Sequence, residues 1–161
     1  MTVSTRTVSV VCTFRAALVT LIAVGMLAAC GPAAVDDGID PTDAQQVARG
    51  EAIYRQRCAA CHGAQLEGQP DWRRRLPNGR LPAPPHDESG HTWHHPNDDL
   101  VAMTRDGMVP PLAPPGYESD MPAFGGVVDD ADIRAVIAYI QSTWSDEVMA
   151  VRRRMLEQAA R

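Results

Sequence analysis

Cys58-Ala59-Ala60-Cys61-His62 is the stretch on which the reading of this chain turns. It sets two thiols about one helical turn apart and puts an imidazole directly after the second. The chain has four cysteines in 161 residues, and Cys12 and Cys30 lie within or at the end of an N-terminal apolar segment. Cys58 and Cys61 are therefore the pair left to the body of the protein. In an exported protein such a pair can close as a disulfide. A thioredoxin-like redox site uses it inside a βαβ unit, and zinc takes it with two further ligands, for which the downstream histidines are candidates. No βαβ pattern surrounds the pair here, and neither rival accounts for the position of His62.

A further reading uses both thiols and the imidazole. C-x-x-C-H is the attachment pattern for c-type haem: each thiol adds to one vinyl group, and the adjacent imidazole is held under the iron as its proximal ligand. Cys58 and Cys61 are thus expected to carry one covalent haem c, with His62 on the iron. Two Phe, three Trp and three Tyr are few for filling a core, and a bound cofactor would supply apolar volume.

Upstream, residues 1–29 read as a signal peptide. Met1 to Arg15 carries Arg6 and Arg15 with no acid, and the fourteen residues Ala16 to Ala29 are almost all apolar. A bilayer-spanning helix needs roughly 20. The run ends in Leu27-Ala28-Ala29-Cys30, which resembles the lipobox of bacterial lipoproteins. That resemblance implies acylation of Cys30, export to the periplasmic side and a lipid anchor, with Gly31 in place of a retaining Asp favouring the outer membrane. An ordinary cleavage site nearby and an uncleaved anchor are the alternatives. Residues 30–42, rich in Gly, Pro and Asp, read as a flexible tether.

The domain is expected over 43–145, with three helices joined by long proline-rich loops. Thr42 and Gln45 form a capping-box pattern, after which Val47, Gly50, Tyr54 and Cys58 recur on one helical face. Asn97 or Pro96 opens a short second helix carrying Leu100, Val101 and Thr104, which Gly107 is expected to close in left-handed geometry. Asp129 starts a third, with Asp130 and Asp132 in its first turn and Ile133, Val136, Ile137, Ile140 and Trp144 on a buried face. Residues 146–161 suggest a further amphipathic helix with no assigned role.

Gly50 and Tyr54 before Cys58-Ala59-Ala60-Cys61-His62-Gly63, then Met121-Pro122-Ala123-Phe124-Gly125, then Ala138-Tyr139-Ile140, together resemble the class I c-type cytochromes over about residues 43–145. The resemblance implies an all-α fold wrapped around one haem, with the first and last helices crossing at a small residue flanked by aromatics. Gly50, Tyr54 and Tyr139 fit those places. It also implies a sulfur ligand from the loop before the last helix, where Met121 stands with Pro122 keeping the chain out of α geometry. Met103 and Met108 read instead as pocket packing.

His86, His91, His94 and His95 fall within ten residues of a loop that the family pattern does not demand. A second metal, copper among the candidates, would find ligands there. The competing reading places the loop at the haem edge, with Trp93 bonding a haem propionate. The remaining alternative is a solvent-facing loop. Arg73-Arg74-Arg75 is either a solvated face or a docking patch for an acidic partner.

All fifteen basic residues are Arg, against twenty Asp and Glu, for a formal net charge of −5. That is no nucleic-acid footprint. Without residues 1–29, which hold two Arg and no acid, the remainder stands at −7. The expected function is single-electron transfer, not catalysis, between membrane-bound or periplasmic redox proteins. Its rivals are a haem enzyme or sensor with a labile distal ligand and a metal-handling protein using the histidine loop.

Overall fold

The computed structural model describes residues 37–161, so the expected signal peptide and Cys30 lie outside the described residues. Five α-helices follow in order: α1 (Ala44–Arg57), α2 (Ala59–His62), α3 (Asn97–Asp106), α4 (Asp130–Ser142) and α5 (Asp146–Ala159). A 3₁₀ turn, Thr92–His94, precedes α3, and no strand occurs among the described residues. The all-α expectation holds. The helix count exceeds the three expected for the domain because the attachment motif forms its own short turn, α2, and α5 extends the chain.

The start of α1 corrects the capping-box expectation. Its N-cap is Asp43, whose carboxylate accepts from the backbone N–H of Gln45 at 2.9 Å and Gln46 at 3.3 Å. Thr42 instead turns back, its hydroxyl donating to Asp40 at 2.6 Å. A carboxylate satisfies two orphan N–H groups and suits the positive end of the helix dipole. Asp129 caps α4 as expected, accepting from Asp132 N–H at 2.8 Å. Gly107 closes α3 through its N–H to Met103 O at 3.1 Å. Its φ of 83° and ψ of −177° leave it outside the left-handed helical region expected for it. The chain therefore leaves α3 extended.

Helix α4 is the centre of the described domain. Seven of its thirteen residues are buried, more than one apolar stripe requires, because α1 packs on one side and α3 on another. Val136, Ile140 and Trp144 join Tyr54 and Leu66, while Ile133 and Ile137 join Leu100 and Val101. Where α1 crosses α4, a Cβ at Gly50 would overlap the backbone carbonyl of Ala135. Only glycine lets the two backbones approach this closely. One turn on, the rings of Tyr54 and Tyr139 meet at 5.4 Å, as the family resemblance implied.

Helix α5 is capped by Ser145, whose hydroxyl accepts from Val148 N–H at 3.3 Å. Val148 and Met149 pack against the cluster around Tyr54. Arg152, only 4% exposed, donates to Trp93 O at 2.8 Å, to Asn97 Oδ1 at 2.7 Å and to His95 O. Asn97 Oδ1 also accepts from Gln141 of α4 at 2.6 Å. This network fastens α5 to the loop before α3.

Candidate haem site

Tyr54 closes α1 around the attachment motif. Fully buried, it donates its hydroxyl to Gly63 O at 2.9 Å, just past His62. Cys58 N–H bonds Tyr54 O at 2.8 Å, while Cys61 and His62 N–H bond Cys58 O at 3.1 and 2.9 Å. Both thiols are thereby held on a single turn, and neither is in a disulfide.

The Cys58 thiol is half-buried, and that burial, with Cys61 beside it, pushes its pKa up to about 11. A thioredoxin-type nucleophile needs the opposite shift, toward thiolate. No group of three or more His, Cys, Asp or Glu among the described residues is arranged to hold a metal ion, so the zinc reading has no donor set.

His62 is buried, 7% exposed, with Nδ1 at 2.8 Å from Pro84 O. A carbonyl only accepts, so Nδ1 carries the proton and Nε2 keeps its lone pair. Burial lowers the His62 pKa, with the Pro84 bond acting the other way. The result is a neutral imidazole of fixed tautomer, as an iron ligand requires. This carbonyl was not identified from sequence, because 22 residues separate it from His62. The Pro84-Pro85 pair in a loop was the only available signal.

Met121 belongs to a separate segment, the loop between α3 and α4. It is half-buried, and its N–H donates to Ser119 Oγ at 3.0 Å. Directly after it, Phe124 N–H bonds Thr104 O at 3.0 Å and Gly125 N–H bonds Arg105 O at 2.9 Å. The Met121–Gly125 stretch is thus hung on the last turn of α3. Met103 is buried within α3, and Met108 is half-buried after it.

The histidine loop is dispersed by ring stacking. His86 lies on His62, His91 stacks on Trp72 at 5.2 Å, and His94 meets Trp93 edge-on at 3.8 Å. His91 and His95 approach only edge to face at 5.5 Å. The second-metal expectation therefore finds no site among the described residues. Arg73 lies over the Trp72 ring, 4.0 Å from its centroid, which ties the arginine run to this loop.

Trp93 Nε1 and His91 Nδ1 are the two buried side-chain nitrogens without a partner among the described residues. Buried donors are rarely left unpaired, and each such group calls for an explanation. A haem carboxylate beside Trp93, which packs against the same cluster as Cys58, would satisfy its Nε1–H, and His91 Nδ1 would join it as the N–H tautomer. With a neutral His62 offering Nε2 and two thiols on one turn, the residues present fit a covalent haem.

A family model described as cytochrome C oxidase, cbb3-type, subunit III matches residues 45–140. No curated protein and no solved structure matches the chain. No helix among the described residues is long and apolar enough to cross a membrane.

Proposed function

Because the chain belongs to the cytochrome c oxidase, cbb3-type, subunit III family, whose domain is a haem c electron carrier, we propose that it is a mono-haem carrier with His62 and Met121 on the iron. It would pass single electrons between membrane-bound or periplasmic redox proteins. The bound haem supplies an iron that cycles between ferric and ferrous states. The chain does the rest: Cys58 and Cys61 hold the cofactor through thioether bonds, and Pro84 O keeps the lone pair of His62 Nε2 available. Met121 offers a soft thioether that favours ferrous iron and raises the potential. Trp93 Nε1–H would bond a haem propionate. With both His62 and Met121 on the iron, no site would remain for substrate, which separates this reading from a haem enzyme or sensor.

The observation that carries the proposal is the His62–Pro84 bond, which selects the tautomer a proximal ligand needs. Acylation of Cys30, with residues 30–42 as tether and Gly31 favouring the outer membrane, is supported by Leu27-Ala28-Ala29-Cys30.

The test is the weak near-red sulfur-to-iron charge-transfer band of the ferric protein. Met121→Ala should abolish the band, lower the potential and open the iron to carbon monoxide, while Met103→Ala and Met108→Ala keep the band. A band that survives Met121→Ala, or a high-spin wild-type protein, overturns the assignment.

A further inference from the structure

The segment Pro84-Pro85-His86 does more than accept one hydrogen bond. Its third residue lays a second imidazole on the first: the rings of His62 and His86 are stacked, 4.0 Å between centroids and 21° between planes. Every side of His86 is fixed. Its N–H donates to Leu66 O at 2.8 Å, and its carbonyl accepts from Trp144 Nε1 at 2.9 Å. Its ring stands edge-on to Tyr54 at 6.2 Å, with Nδ1 2.8 Å from Thr92 Oγ1. The Thr92 hydroxyl faces Pro85 O at 3.5 Å, so His86 Nδ1–H is the donor in that pair.

The backbone beneath the ring is held from both sides. A Cβ at Gly68 would overlap Pro85 N and the Pro84 carbonyl carbon, and one at Gly90 would overlap Pro85 O. Two glycines thus press two other stretches of backbone onto the Pro84–Pro85 unit, and the prolines fix φ on that unit. A single bond at Nδ1 fixes the His62 tautomer but leaves the plane of the ring free to tilt about the bond axis. A flat partner at stacking distance removes that freedom.

We propose that His86 is a positioning residue for the proximal ligand: its stacked ring sets the plane of the His62 imidazole relative to the haem. Pro84 O and the His86 ring act as one clamp, the carbonyl choosing which nitrogen faces the iron and the ring choosing the angle at which it does so. Hydrogen-bonding partners behind a metal-bound histidine commonly orient it, and here a stacked ring is added to such a partner.

The inference rests on His62 being an iron ligand. Its test reads the ligand plane directly, through the hyperfine-shifted haem methyl resonances and the g-values of the ferric holoprotein, both of which follow imidazole orientation. His86→Leu keeps apolar volume but loses the flat ring, and should shift and reorder the methyl resonances. His86→Phe keeps a ring and should stay close to wild type. Should His86→Leu not accumulate as holoprotein, His86→Met, which also lacks a flat ring, should alter the methyl pattern in the same way. An unchanged pattern in His86→Leu or in His86→Met, or equal change in the ring-less and Phe variants, overturns the role assigned to His86. A wild-type ferric spectrum without low-spin, histidine-ligated iron would instead remove the ligand reading itself, whatever the variants do.

Discussion

Tyr54 shows how much a single side chain carries here. Its ring sits at the α1–α4 crossing, and its hydroxyl reaches Gly63 O beyond the attachment motif. Burial raises its pKa, so it remains a donor throughout the ordinary pH range. Tyr54→Phe keeps the packing and leaves the carbonyl unpaired, a loss of about 1–3 kcal/mol. Denaturant unfolding of the holoprotein should show a lower midpoint with an unchanged slope, and an unaltered midpoint would mean water replaces the hydroxyl. At this scale Cys58, Cys61 and His62 were legible because covalent chemistry dictates their spacing. Pro84 and His86 were not, because loop geometry alone brings them to His62. Four histidines in ten residues left a metal site open beside the haem-edge reading, whereas their neighbours Trp72, Trp93, Tyr54 and Thr92 turn them into stacking and hydrogen-bonding groups.

The helices were legible where periodicity is strong. Ile133, Val136, Ile137, Ile140 and Trp144 are all buried, as their spacing required. Gly50 at the α1–α4 crossing gives the sharpest prediction for an element. Gly50→Ala forces a methyl group into the Ala135 carbonyl, which is backbone and cannot rotate away. The helices must separate at a cost of about 3 kcal/mol, the upper end for overpacked cores. A thermal melt should register this as a clear fall in midpoint, and a neutral substitution would mean that α1 and α4 do not cross there.

Helix α5 was foreseen as amphipathic, but its key residue was hidden inside Arg152-Arg153-Arg154. Such a run ordinarily reads as solvated, yet position 152 falls one turn after Val148 and Met149, on the face that packs against the Tyr54 cluster. Burial lowers the pKa of Arg152, with Asp37 acting in the opposite direction. Arg152→Met removes a charged donor from Trp93 O, His95 O and Asn97 Oδ1, a loss of about 3 kcal/mol. Arg152→Lys should recover only part of this, since a compact ammonium cannot span three acceptors as a planar fork does. Arg153→Met, at an exposed position, should leave the melt unchanged.

Over the whole molecule, one central helix, α4, connects α1 with its attachment motif to α3 with the Met121 loop hung on its end. Electron transfer gains from such a frame, because a ligand set held from several sides moves little when the iron changes charge. The chain as a whole is acidic, and its anchor is expected to hold it at a membrane surface. Labelled fatty acid should enter the protein through Cys30, and Cys30→Ser should release it from membranes. Membrane association unchanged in Cys30→Ser would point to a different tether.

The central claim is that His62 and Met121 hold one haem as a six-coordinate, single-electron centre. Spectroelectrochemical titration of the wild-type holoprotein tests it most directly. The account predicts one reversible transition with one-electron Nernst behaviour and low-spin spectra at both ends. A high-spin or five-coordinate form on either side of the transition would contradict it.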